Sequence, residues 1–231
     1  MTDEGLVADE TARERLRSAA IRAFAAKGFH GTTTRDIAMS AGLSPGGVYV
    51  HYPSKEVLLF GIIDEGHRGA LATVRAAAAR ADDPAGKLVS IVRAFALWHA
   101  ERQTRARIAN YELAALTPQH LAVINGIRRE ITAEVEAVVE AGQLDGSFDV
   151  ADVRMTTGSL LSLGVDISRW YTEAGRITPQ QIADHHVHLA LRMVGARPRA
   201  RPPSARQGDD AEEGSSAQVD APWVEDLSKQ V

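Results

Sequence analysis

The stretch Thr32–Lys55, TTTRDIAMSAGLSPGGVYVHYPSK, decides the fold. Thr33 is a good N-cap, and Asp36 stands three residues later, a capping box with Asp in place of the usual Glu or Gln. Ile37, Ala38 and Ala41 give the helix that follows one apolar face. Gly42 suits the left-handed position that ends a helix. Leu43 reads as a buried turn residue, and Ser44 caps a second helix with Pro45 at its first position, where a missing N–H costs nothing. The pattern predicts two short helices joined by a tight turn, a helix-turn-helix whose use is to read DNA.

The second helix, Pro45 to about Tyr52, is expected to enter the major groove. Gly46 and Gly47 weaken it by up to about 1 kcal/mol each relative to alanine, and they clear side chains from places where backbone must approach phosphate or base edges. Tyr49, His51 and Tyr52 add aromatic groups with polar tips. The turn Pro53-Ser54-Lys55 starts a new helix whose free N–H groups and ammonium suit a phosphate. The expected DNA contacts are therefore Thr33, Thr34, Ser44 and Lys55 at phosphates and Tyr49 and His51 near the groove floor, with Gly46, Gly47 and Tyr52 beside them. The same spacing also fits an ordinary helical corner with no partner.

The run Ala23-Phe24-Ala25-Ala26-Lys27-Gly28-Phe29-His30-Gly31-Thr32-Thr33, followed by Asp36-Ile37-Ala38 and Ala41-Gly42-Leu43-Ser44, resembles the TetR family of bacterial repressors. So does VYVHYPSKEVLL, Val48 to Leu59. His51 and Tyr52 stand where the family often has Tyr and Phe, a departure that bears on base preference. The resemblance implies an all-α homodimer with an N-terminal DNA-binding domain and a C-terminal domain that senses a small molecule. The C-terminal half is similar to a subgroup of actinobacterial regulators of fatty-acid and sterol breakdown.

Working outward, the 231 residues are enough for one or two domains with a real core. An apolar fraction of 45% and a charged fraction of 24% are those of an ordinary globular chain. The net charge of −4 announces no global attraction to nucleic acid. Locally the balance reverses: Arg13, Arg15, Arg17, Arg22, Lys27, Arg35 and Lys55 stand against only Glu14 and Asp36 between Thr11 and Lys55. The absence of cysteine excludes disulfides, thiolate metal sites and a cysteine nucleophile. No apolar run approaches the ~20 residues that span a bilayer, and Met1–Glu10 lacks the order of a signal peptide. A cytoplasmic protein with no membrane partner is the expectation.

Residues 1–9 read as disordered. A first helix is expected from about Glu10 to Lys27, stopped by Gly28, with Phe29 plugging back into a small core. The DNA-binding domain then spans 10–60 and a ligand-binding and dimerisation domain 61–195. A long helix from Ser54 to about Ala81 leads from one to the other. Asp82-Asp83-Pro84 starts the next helix, with Leu88, Ile91, Val92, Phe95 and Trp98 at spacings of three and four. Helices follow from about Arg105 to Leu116 and from Thr117-Pro118 onward, and Gly142 to Phe148 reads as a polar connection. The last two helices are expected at Val150 to about Ala174 and Thr178 to about Val194, giving nine helices and no strand. The segment 196–231, rich in Arg, Pro, Ser and acidic residues, reads as a disordered tail; its arginines Arg197, Arg199, Arg201 and Arg206 fit a non-specific DNA arm as an alternative.

In the second domain Trp98, His99, Tyr111, Glu112, Trp170 and Tyr171 fit either a core of large residues or a pocket between helices. Arg169, with Arg102, Arg105 and Arg107, suits an anionic ligand such as an acyl-coenzyme A thioester, while Arg169 equally suits the C-terminal end of a helix dipole. The expected effector is a bulky apolar body, with or without an anionic end. His185 and His188 share a helix face, but no carboxylate or cysteine completes a metal set, and a helix–helix seam is the expectation. Gly158, Ser159, Ser162 and Gly164 permit close approach of another helix, as a two-fold dimer seam requires. No cofactor is implied. A helical-bundle enzyme would need Glu-x-x-His, His-Glu-x-x-His or a phosphate-binding glycine loop, and the chain carries none of them. The remaining alternative is a small-molecule carrier with a vestigial helix-turn-helix.

Overall fold

Caps and helix stops set the element order. The computed structural model describes residues 3–196, with side chains from Thr11 onward; the first two residues and the tail beyond Ala196 lie outside the described residues. Among those described, the chain forms nine α-helices and one short 3-10 turn. They are α1 Asp3–Gly31, α2 Thr34–Ser40, α3 Gly47–His51, α4 Lys55–Ala78 and α5 Pro84–Glu101, then α6 Gln103–Tyr111, α7 Pro118–Leu144, α8 Val153–Trp170 and α9 Pro179–Met193. The fold is all-α with a helix-turn-helix at its N-terminal end and a helical bundle behind it.

Helix α1 begins at Asp3, earlier than expected, because no proline interrupts the segment and one glycine costs a helix only about 1 kcal/mol. Gly28 does interrupt it: φ is 69° and ψ 172°, a kink across which helical bonding resumes to Gly31. Phe29 consequently turns back to a ring-centroid distance of 5.7 Å from Phe24. The capping box forms as read, with Thr33 Oγ1 accepting from Asp36 N and the Asp36 carboxylate accepting from Thr33 N. The Thr33 side chain and then the Thr33 backbone N–H, hydrogen-bonding to the Asp36 carboxyl, hold it below its usual pKa. Gly42 takes a φ of +68°.

The next helix departs from expectation. Ser44 does not cap it through its side chain; its carbonyl accepts from Gly47 N at 2.8 Å in a turn. Helix α3 therefore starts at Gly47 and not at Pro45, since two adjacent glycines make a first helical turn too weak to hold. The polar connection at 142–148 is also shorter than read. Helix α7 runs on to Leu144, and Phe148 folds back into the space beside Gly142, its N–H donating to the Gly142 carbonyl at 2.8 Å.

The larger of two apolar clusters runs from the first helices into the bundle. Leu16, Phe24, Ile37 and Val48 close the first three helices on Leu58 and Leu59 of α4. Further along, Ile63, Leu71 and Val74 of the same helix meet Leu88 and Ile91 of α5 and Ile124, Ile131 and Val135 of α7. The expected boundary near residue 60 thus falls inside α4, which lends residues to both sides. No helix among the described residues is long and apolar enough to cross a membrane.

Helices α5 and α8 approach closely at Gly164, where an added Cβ would lie 2.5 Å from Phe95 Cδ1. Phe95 is buried, so its ring must shift within the core to relieve the clash. Gly164→Ala is expected to destabilise the protein by about 1–3 kcal/mol through overpacking, despite alanine's better helix propensity. Urea unfolding of the variant measures this.

Candidate DNA-reading surface and effector site

Besides the apolar core, one ammonium ties the helix-turn-helix to α4. Lys55 Nζ donates to the carbonyls of Phe29 at 2.7 Å and Thr32 at 2.6 Å and sits 4.2 Å from the Phe29 ring centroid. These carbonyls end α1, where acceptors lack helical partners. Thr32, itself buried, adds its hydroxyl at 2.8 Å from the Gly28 carbonyl and 3.1 Å from that of Ala23. Lys55 was expected at a phosphate; the structure first commits its head group to the fold.

The outward face carries Thr33, Ser44, Gly46 and Tyr49, all exposed, with Thr34 and Gly47 half-buried beside them. Tyr49 and Thr34 share a hydrogen bond between hydroxyls at 3.2 Å, which fixes the phenol across the α2–α3 angle. His51 is half-buried at the end of α3. Tyr52 departs from the expected role: it packs against the apolar core, and that burial pushes its phenol pKa up. Val50 and Met39, exposed at 77% and 67%, are apolar side chains on this face that sequence reading passed over. The register was available, because Val48 is the inward residue of α3 and Val50 follows two places on. Gly42-Leu43-Ser44-Pro45-Gly46 also spells the Gly-x-Ser-x-Gly of a nucleophile elbow, but that motif needs a strand-to-helix turn. Here it joins two helices, with no strand among the described residues.

Behind this surface lie two cavities that share a wall. The outer cleft, about 540 Å³, opens between α4 and α5 and is lined by Arg80, Arg93, Arg102 and Arg105 together with Glu65 and Glu101. The inner chamber, about 80 Å³, lies among α4–α8, with Ala70, Phe95, Ala109, Ile131, Leu161 and Val165 as apolar walls. Gly66 and Trp98 line both. A Cβ on Gly69 would stand 3.5 Å from Trp98 Nε1, so the α4 glycines make room for the indole. Arg102 lies over the Trp98 ring, 5.9 Å from its centroid. Arg93 pairs with Asp184 at 2.5 Å, and Arg105 with Glu65 at 3.8 Å.

The expected grouping of Trp98, Tyr111 and Trp170 does not form. Tyr111 is exposed and donates to Asp166 at 3.3 Å, and Arg169 is held by the same carboxylate at 2.7 and 3.1 Å. Both border a separate hollow of about 290 Å³ facing Phe24 and Gly28 of α1. Trp170 and Tyr171 belong to a core cluster with Ala96, Ile167 and Ile182. The reason is helical phase: Trp170 lies about 140° round α8 from Val165, which faces the chamber. The chamber's size also leaves no room for a bulky apolar body unless its walls move. His185 and His188 join no metal set; among the described residues no group of three or more His, Cys, Asp or Glu is placed to hold an ion.

A helix-turn-helix on an all-α sensor bundle defines a DNA-binding transcriptional regulator with a ligand site. Similarity to known proteins gives the family. Residues 16–62 match the model for bacterial regulatory proteins of the tetR family, and residues 81–194 match that for the tetracyclin repressor-like C-terminal domain. A crystal structure of a bacterial regulatory protein in the tetR family from Rhodococcus RHA1 is 44% identical, covering 81% of this chain and 98% of its own, with a TM-score of 0.78. The chain belongs to the tetR family of transcriptional regulators. The HTH-type transcriptional repressor KstR2 of Rhodococcus jostii RHA1 is 29% identical over 199 residues, 78% of this chain and 89% of that protein. AibR, solved in complex with isovaleryl coenzyme A and operator DNA, is 26% identical over 78% of this chain and 97% of its own, with a TM-score of 0.71.

Lys55→Met removes the donor from two carbonyls at the end of α1. It is expected to lower stability by about 1–3 kcal/mol and to weaken DNA binding equally for all sequences. Thermal unfolding and fluorescence anisotropy over a salt series measure both. A slope of log affinity against log salt that falls by about one adds a direct phosphate contact, whereas a loss confined to one base pair of the operator would contradict both roles.

Proposed function

We propose that this regulator is a homodimeric repressor that grips a near-palindromic operator and is released when an acyl-coenzyme A thioester enters its sensor bundle. One observation carries the ligand class. An arginine-lined cleft and a small, mainly apolar chamber meet at Gly66 and Trp98, as a ligand with an anionic head and a short, largely apolar end requires. AibR's complex with isovaleryl coenzyme A supports the same chemistry, and the likeness to KstR2 supports repression. A sterol-sized body exceeds the chamber, so a short acyl group is the better match.

On the DNA side, Thr33, Thr34 and Ser44 meet phosphates, the Gly46-Gly47 backbone approaches the duplex, and Tyr49, His51 and Val50 reach into the major groove. Val50 offers an apolar surface for a thymine methyl. Helix α4 transmits the ligand's effect. Its first turn is tied to the start of α7, because Glu56 Oε1 accepts from Thr117 N at 2.9 Å and from His120 Nδ1 at 2.8 Å. The His120 ring stacks on Phe60 of α4 at 3.9 Å. A movement of α4 at Gly66 therefore reaches the recognition helix through a stiff path. To lower operator affinity 100-fold, the ligand needs about 2.7 kcal/mol of differential binding between the two states.

The dimer forms through α8 and α9. Exposed Gly158, Ser159 and Ser162 on α8, with Met155 beside them, offer a face for close helix contact. Leu189→Arg in α9 should give folded monomers, by light scattering, that bind the operator poorly; a variant that stays dimeric would place the seam elsewhere. A panel of short- and long-chain acyl-coenzyme A thioesters and the matching free acids, measured by calorimetry and by operator release in a mobility-shift assay, tests the effector. Short thioesters are expected to bind and release, and Arg102→Ser to weaken them at least 10-fold while leaving operator binding intact. Free acids acting as well as thioesters would defeat the thioester reading.

A further inference from the structure

His67, on α4, borders the inner chamber and is only 5% exposed. Its Nδ1 lies 3.0 Å from the Ile63 carbonyl. A carbonyl can only accept, so Nδ1 carries the proton and Nε2 of the neutral ring presents a lone pair. That Nε2 is buried and receives no hydrogen bond from any described residue. A buried acceptor left without a donor loses its hydration with nothing in return.

The chamber's other polar groups do not supply the missing donor. Asn110 Nδ2 donates to the Ala106 carbonyl at 2.9 Å and Thr132 Oγ1 to that of Arg128 at 3.0 Å. His99, on the facing helix, directs its own Nδ1 to the Phe95 carbonyl at 2.8 Å. Both imidazoles are neutral near pH 7. Burial lowers the His67 pKa, with the Arg128 charge adding to it, and burial takes His99 down to about 4. Arg128 also borders the chamber without bonding Nε2, and the remaining walls are hydrocarbon and aromatic.

Resting on the thioester reading above, we propose that His67 Nε2 is a specificity-determining acceptor that selects a short acyl group bearing a hydroxyl. Size and polarity agree. A cavity of about 150 Å³ lined by apolar residues holds benzene, so this chamber of about 80 Å³ takes only a few carbons. A saturated acyl chain would fill it and leave Nε2 unpaired, and a site built around a buried acceptor rejects the analogue that lacks the donor. The hydroxyl O–H donates to Nε2, and no bond is made or broken.

Calorimetry on the full chain with butyryl-coenzyme A and with its 2-, 3- and 4-hydroxy counterparts tests the proposal. At least one hydroxybutyryl thioester is expected to bind 10-fold or more tightly than butyryl. In His67→Phe, of similar volume, that preference should vanish while butyryl binding is kept or improved. A wild-type protein that binds all four alike overturns the role of His67 and leaves the thioester reading standing. A preference that survives in His67→Phe overturns it in the same way. If none of the four thioesters binds, both readings fall together. The wild-type comparison decides the matter even where the variant folds poorly.

Discussion

The carbonyls that end α1 are the constraint on which the DNA-reading surface depends. A helix terminus leaves acceptors that must be met by something, and here they are met from two sides. Thr32, buried next to them, turns its hydroxyl back on Gly28 and Ala23. Lys55 reaches across from the first turn of α4 to Phe29 and Thr32. Because Phe29 also lies under the ammonium, one group fixes α1, the turn into α2 and the start of α4 relative to each other. The α2–α3 angle is then closed by Gly42 at positive φ and by the Tyr49–Thr34 hydrogen bond.

Helix α4 converts this local rigidity into coupling. Its first half completes the core of the DNA-binding helices, and its second half walls the sensor. Glycines Gly66 and Gly69 let α4 lie against Trp98 and α6, so occupancy of the chamber and the position of α4 are physically linked. A second link runs through Arg107 of α6, which donates to the Ala25 carbonyl of α1 at 2.7 Å. Packed elements of this kind shift between discrete arrangements and not by continuous bending.

Much of the candidate DNA surface was legible because its signals are local. Thr33, Asp36 and Gly42 act within a few residues of themselves, and each does in the structure what its chemistry suggested. The same holds for Asp83-Pro84 and Thr117-Pro118, which cap α5 and α7 as read. Local signals failed where two of them competed. Ser44-Pro45 favours a helix start and Gly46-Gly47 opposes it, and the glycines delayed α3 to Gly47.

The sequence by itself determined the helix order, the helix-turn-helix and the buried stripes, since caps and 3.6-residue periodicity are properties of neighbours in the chain. Tertiary structure alone decided which aromatic residue faces a cavity. Trp98, Tyr111 and Trp170 look equivalent as letters, yet helical phase and crossing send one to the shared cavity wall, one to an exposed carboxylate and one to a separate core. It also decided that Lys55 serves α1 before any phosphate, and that His67 is left holding a lone pair. Those outcomes rest on groups far apart in the chain, and their distances exist only once the helices have packed.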